Sequence, residues 1–234
     1  MRFSIIIPTY NEQGFIQRLI HHLQKVAIGI NYEIIVCDGG STDITVKIAE
    51  SCGVIVLNSP TKGRAGQMNY AAKVATGDIL YFVHADCLPP ANCFSAIQSS
   101  VSAGFDAGCF RYRFESERFL LKINTYFTRF SGLIYRGGDQ TLYIKKSTFN
   151  LIQGFNERFI IMEDYELVRR LRKKHQFQII PEYAIVSSRK YDKNNWIKVN
   201  FANTVAMVMF LSGVATPQRI KSTYHGIIKH PKDE

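Results

Sequence analysis

Apolar positions along the first half of the chain follow two alternating rhythms. Short, nearly unbroken apolar runs occupy residues 3–7, 32–37, 54–57 and 78–83, the pattern of strands buried on both faces. Between the first two, Phe15, Ile16, Leu19, Ile20, Leu23 and Val26 recur at helical spacing, which predicts a helix over 13–26. Helices are also expected over about 42–51, capped by Ser41 or Thr42, and over about 65–75, ended by Thr76-Gly77. Repeated βα units of this length imply a mainly parallel central sheet with right-handed crossovers and flanking helices, an α/β fold.

The second half is less regular. Helices are expected over 92–102, 117–130, 163–174 and 194–211, and strands over 107–114, 140–144, 178–180 and 184–187. No repeat, low-complexity tract or Pro/Gly-rich linker interrupts the chain. One continuous domain over 1–234 is the simplest organisation. It would comprise a nucleotide-binding half (3–115), an acceptor-side half (116–190) and a C-terminal helix and tail (191–234).

The chain is 234 residues long, enough for a sizeable core. Its formal charge is +10, from 29 Lys and Arg against 19 Asp and Glu, which favours anionic partners. Five cysteines, odd in number and without a CxxC pair, argue for a reducing compartment and against a disulfide framework or a structural zinc. No signal peptide is expected at the N-terminus, and no apolar run reaches the length of a membrane span. These features suit a cytoplasmic protein. The basic run 169–174 and the aromatic segment 119–135 could together face the inner side of a membrane. The competing readings are a solvated helix face and a core-facing helix.

Candidate chemistry clusters where the strands end. The apolar run 78–83 leads into His84-Ala85-Asp86. On extended backbone, side chains two apart share a side, so imidazole and carboxylate would meet at one spot. The C-terminal edge of a parallel sheet is where such folds bind ligands, which points to metal or phosphate chemistry. Pro8-Thr9-Tyr10-Asn11-Glu12 follows the first strand and Asp38-Gly39-Gly40-Ser41-Thr42-Asp43 the second, each open to a plain turn-and-cap reading. Neither a GxGxxG fingerprint nor a GxxxxGK[ST] loop is present, which lowers the case for NAD enzymes and P-loop ATPases.

Taken in order, these two motifs, Lys62-Gly63-Arg64-Ala65-Gly66-Gln67-Met68-Asn69, His84-Ala85-Asp86 and Glu163-Asp164 resemble family-2 inverting nucleotide-sugar glycosyltransferases of the GT-A fold. The resemblance spans about residues 3–190. The His-Ala-Asp variant and Gly137-Gly138-Asp139-Gln140 look most like a compact bacterial branch of that family. The resemblance implies transfer of a sugar from a nucleotide-diphosphate donor, a UDP-sugar foremost, to an acceptor hydroxyl with inversion and divalent-metal assistance. Pro8, Tyr10 and Glu12 would line the nucleoside pocket with His84 and Ala85 beside it. Asp38 would accept from uracil N3–H, and Arg64 would sit near the base or diphosphate.

Asp86 matches the last Asp of the family's DxD motif and would hold Mn²⁺ or Mg²⁺ against the diphosphate. One or two carboxylates suffice for such an ion, because phosphate and water complete its shell. His84 replaces the usual first Asp. It could ligate Mn²⁺, hydrogen-bond ribose or phosphate, or pack. An attacking hydroxyl must lose a proton, and the resemblance gives that task to Asp164; a helix N-terminus also favours Glu163 and Asp164 electrostatically. Arg189, where processive relatives carry a Q-x-x-R-W motif, could neutralise the diphosphate, and Asp139 and Glu163 could touch the donor sugar or acceptor. The poor match to that motif argues against a processive polymerase. The acceptor is unspecified and could be lipid-linked.

Two rival classes remain. A nucleotidyltransferase of similar architecture would carry a GxGxR loop after the first strand, where this chain has Pro8-Thr9-Tyr10-Asn11. A non-catalytic anion or nucleic-acid binder would explain the charge but not acids placed at successive strand ends; no nucleic-acid partner is expected.

Overall fold

The computed structural model describes residues 1–136 and 141–228. Among the described residues, eight strands form one sheet in the order β3-β2-β1-β4-β7-β6-β8-β5. β1 (Phe3–Thr9), β2 (Tyr32–Asp38), β3 (Ile55–Asn58) and β4 (Ile79–Phe82) are mutually parallel, the βα half predicted from the apolar runs. Beyond β4 the sheet is mixed. β7 (Leu142–Lys145) runs antiparallel to both β4 and β6 (Ala107–Phe114), while β8 (Phe177–Val186) is parallel to β6 and antiparallel to the two-residue β5 (Cys87–Leu88).

Helices cover both faces. α1 (Ile16–Val26), α2 (Thr45–Ser51) and α4 (Cys93–Ser102) lie on one side, where Ile5, Ile7, Leu19, Leu23, Phe94 and Ile97 form one core. α3 (Arg64–Val74), α6 (Lys146–Leu151) and α7 (Glu163–Leu171) lie on the other, against Ile6, Ile35, Leu80 and Ile144. The period-2 alternation within β1 thus feeds two cores from one strand.

A third group packs outside the sheet. It comprises α5 (Phe119–Phe127), a 3₁₀ turn at Leu133–Tyr135, α8 (Arg189–Lys193), α9 (Trp196–Ser212) and α10 (Pro217–Ile227). α9 and α10 share a core of Ala202, Ala206, Phe210, Ile220 and Tyr224, and α5 joins α9 through Leu121, Tyr191 and Val199.

Several sequence expectations change. The segments 178–180 and 184–187 are one strand, because Pro181 and Glu182 bulge out of register opposite Phe110 and Arg111 and pairing then resumes. The C-terminal stretch carries α10, begun by Thr216 as cap and Pro217 at the first turn, where a tail was expected. No disulfide joins the five cysteines, four of which are buried. Burial, then the neighbouring Asp38 charge, pushes the Cys37 thiol up to about 11, so it is inert as a nucleophile.

Candidate active site

The ends of β1 and β2 are locked into one rigid edge. Asn11, at φ 51, accepts from the Thr42 amide at 2.8 Å, and its own amide donates to Ser41 Oγ at 2.8 Å. The Glu12 amide donates to Thr45 Oγ1 at 2.8 Å and the Gln13 amide to Asp43 Oδ2 at 3.2 Å. Asp43 also accepts from the Thr45 amide at 2.9 Å, opening α2. Burial works against the Asp43 charge, but these donors hold its carboxyl below the usual carboxylate range. The two motifs are therefore a single interlocked loop pair.

Asp38 lies at the centre of that pair, 2% exposed. Its Oδ2 accepts from the Gly40 and Ser41 amides at 2.8 and 2.7 Å, and its Oδ1 from Ser41 Oγ and Thr9 Oγ1 at 2.5 and 3.1 Å. A carboxylate offers about four lone-pair sites, and four donors fill them. These bonds make Asp38 the organiser of the loop, with Gly40 at φ 93 supplying the turn. Tyr10, by contrast, is 42% exposed beside it.

Gln67 is a residue whose role the sequence reading did not draw out. Its Nε2 donates to the carbonyls of Thr9 and Cys37, both at 2.7 Å, clamping the C-terminal ends of β1 and β2 from below. The signal was available, since Gln67 is the polar member of a buried set otherwise made of Ala65, Gly66, Met68, Ala71 and Ala72. Asn69 acts one helical half-turn on, donating to the Phe155 carbonyl and accepting from its amide, both at 2.9 Å.

β4 stops at Phe82, and the Cys87 amide donates to the His84 carbonyl at 3.0 Å, so residues 84–87 form a turn. The expectation that His84 and Asp86 share a side of extended backbone fails for that reason. The turn instead aims Asp86 at Arg189. The Arg189 guanidinium donates bidentately to Glu12 at 2.8 and 2.9 Å, and its NH2 lies 2.9 Å from Asp86 Oδ2. Its plane also lies over Phe15, 4.6 Å from the ring centroid. Burial alone would lower the Arg189 pKa; Glu12 and Asp86 outweigh it and raise it above the ordinary value. Three expected site residues, from positions 12, 86 and 189, thus meet on one cation.

A second contact joins the Lys62–Asn69 motif to Glu163-Asp164. Arg64 Nε lies 2.7 Å from Glu163 Oε1, an ion pair lacking hydrogen-bond alignment, with the carboxylate 1% exposed. The expectation of Arg64 at the base or diphosphate meets a different arrangement, in which it compensates a buried carboxylate at the start of α7. Asp164 follows in the first turn of α7, half-buried, where the helix N-terminus favours its charge. Pro8 is buried at the end of β1, and Ala85 is buried in the turn after β4. Asp139 lies outside the described residues.

Three arginines of the basic run 169–174 make contacts within the protein, Arg169 while remaining exposed. Arg170 pairs bidentately with Glu166 and donates to the Ile152 and Gly154 carbonyls. Arg169 lies over Phe210, and Arg172 lies over Phe177 and donates to the Ser131 carbonyl.

A divalent ion fits these residues in one manner. Among the described residues no group of three or more His, Cys, Asp or Glu could cage a metal. Asp86 is a single hard oxygen donor in a turn at the sheet edge, which suits an ion whose other ligands come from phosphate and water.

The family model of glycosyl transferase family 2 matches residues 4–170. A dolichol-phosphate mannosyltransferase of Pyrococcus furiosus is 29% identical over 111 residues, 45% of this chain and 32% of that protein. The chain thus aligns with about a third of that relative's length. Among solved structures, Staphylococcus aureus TarS residues 1–349 with UDP-GlcNAc superposes with a TM-score of 0.67 at 18% identity, covering 97% of this chain and 71% of that one. The mannosyltransferase PcManGT of Pyrobaculum calidifontis with GDP-Man and Mn²⁺ also gives 0.67, at 17% identity, covering 95% and 68%. Both show the same GT-A architecture of a curled mixed sheet between helices. With the family model matching most of its length and the family's motifs gathered at one sheet edge, this chain belongs to glycosyl transferase family 2.

Proposed function

We propose that the protein transfers a sugar from a nucleotide-diphosphate donor, a UDP-sugar foremost, to an acceptor hydroxyl with inversion and with help from Mn²⁺ or Mg²⁺. The observation that carries this reading is the Glu12–Arg189–Asp86 contact, which gathers residues 177 positions apart at the C-terminal ends of β1 and β4. Nothing in the packing of two cores requires two carboxylates and a guanidinium there. A polyanionic leaving group does benefit from an arginine and a carboxylate-held cation.

In this reading the exposed Tyr10 ring provides a face for the base, with Pro8 and the Asp38 loop as floor. Asp86 would hold the divalent ion, which when bound would supply positive charge to the diphosphate. His84 sits at the head of the same turn, where ribose or phosphate contact is in reach of its imidazole. Arg189 supplies a fixed positive charge to the same leaving group. Asp164 removes the acceptor proton, held near α7's N-terminus beside the Arg64–Glu163 pair. TarS and PcManGT, whose structures carry UDP-GlcNAc and GDP-Man with Mn²⁺, support a nucleotide-sugar donor and a metal.

Calorimetry tests the metal site. Asp86→Ala should weaken UDP binding at least tenfold in Mn²⁺ and remove its dependence on the ion; unchanged affinity would sink the assignment. Asp164→Asn should bind UDP as the wild type does but transfer about 10² to 10⁴ times more slowly, the range for losing a general base. Near wild-type turnover would remove Asp164 from that role.

A further inference from the structure

α9 is apolar on both of its faces, and only one of them is covered. Its inner residues, Val199, Ala202, Ala206, Met207 and Phe210, are buried, several of them against α10. Its outer face carries Ile197, Phe201, Val208 and Leu211, exposed by 71, 60, 60 and 50%. Their spacing of 4, 7 and 3 residues keeps all four within one arc of the helix, which also holds the exposed Thr204. A helix apolar all round is normally surrounded by protein or lipid. At 17 residues α9 is too short to span a bilayer, and no described helix is long and apolar enough to do so.

The charged side chains of α9 and α10 themselves are all basic, while the exposed acids Asp192 and Glu117 lie just ahead of α9 and α5. No Asp or Glu occurs between Asp192 and Asp233, an interval of 40 residues. Lys193, Lys198, Arg219 and Lys221 lie in that interval, all exposed on or beside α9 and α10. A second copy of the chain would bring the same cations against them, whereas an anionic lipid surface complements both the apolar stripe and its basic surround. α5, joined to α9 by the Trp196 Nε1 bond to Asn124 Oδ1 at 3.2 Å, adds exposed Phe119 and Leu120.

We propose that the outer face of α9 is a docking surface for an anionic lipid bilayer, entered in-plane by Ile197, Phe201, Val208 and Leu211. The surface begins eight residues beyond Arg189, and Lys190 next to that arginine donates to Asn203 of α9 at 3.3 Å. The proposal is independent of the transfer chemistry, since it rests on exposed side chains of α9 to which the proposed transfer assigns no role.

Co-sedimentation of the full chain with vesicles of phosphatidylcholine alone, or with about a third phosphatidylglycerol, tests it. Wild type should partition to the anionic vesicles, less so at high salt. Phe201→Ser with Leu211→Ser should lower partitioning at least tenfold while leaving the thermal unfolding midpoint within a few degrees, since both side chains are exposed. Lys198→Glu with Lys221→Glu should remove the preference for anionic over neutral vesicles. The proposal is overturned if wild type stays in the supernatant at physiological salt or if the serine variant sediments equally. It is also overturned if light scattering shows a wild-type dimer that the serine variant dissociates, which would assign the face to a second copy.

Discussion

Arg189 holds two carboxylates with one planar guanidinium, a task that needs its forked geometry. A lysine would supply the charge but not the bidentate bond to Glu12, which is 5% exposed. Removing the cation leaves Glu12 buried beside Asp86 with like charges and no shared counter-ion. Breaking a fully buried pair costs roughly 3–5 kcal/mol. Arg189 is itself a quarter exposed, so Arg189→Met is expected to lose about 2 kcal/mol, read by urea unfolding. The same variant should weaken UDP binding, because the guanidinium is proposed to face the diphosphate. A variant of wild-type stability would show that the bridge contributes little to the fold. At this scale the sequence marked the ends of the clamp but not the contact. Glu12, Asp86 and Arg189 were all candidates, yet a pairing across 177 residues leaves no local pattern to read.

Elements with their own periodicity were legible; elements that exist through a neighbour were not. β6 was expected over Ala107–Phe114 and is found there, and β1, β2 and α1 end within a few residues of their apolar runs. β5 is two residues long and exists because Cys87 and Leu88 pair with Val186 and Ile185. α8 is five residues, too short to show a helical apolar repeat. α9 begins at a side chain that the sequence marked only in part, since Asn194 and Asn195 stand together. Asn195 is the cap, its Oδ1 accepting from the Lys198 amide at 2.8 Å. Asn195→Ala should therefore cost about 1 kcal/mol in thermal or denaturant unfolding. An unchanged midpoint would mean that α9 is held by its packing on α10 alone.

Across the whole molecule, the two halves are joined by hydrogen bonds as well as by the sheet. Asn69 of α3 brackets the Phe155 backbone from both sides and donates to Glu157 at 2.9 Å. Gly154, at φ 63, lets that backbone approach, since a Cβ there would lie 2.6 Å from Asn69 Oδ1. We propose that the halves fold as one unit. Asn69→Ala leaves a partly buried amide and carbonyl without partners and should cost about 2 kcal/mol. It should still unfold in a single transition by circular dichroism and fluorescence of Trp196, the chain's one tryptophan. Two separated transitions would show that the halves are independent domains.

The alternation of apolar runs with helical repeats determined the parallel half of the sheet, because both signals depend only on residues close in the chain. Residue types at the strand ends pointed to metal or phosphate chemistry, and the order of the motifs added the resemblance to nucleotide-sugar glycosyltransferases. Tertiary structure decided which partners those residues meet. Asp38 accepts from three donors of its own loop and from Thr9 of β1, and Arg64 turns to a carboxylate about a hundred positions away. His84 and Asp86 lie in a turn instead of on a strand. Hydrogen bonds and ion pairs are satisfied by whichever partner the fold brings near, and that choice is made by packing between distant segments, not by spacing along the chain.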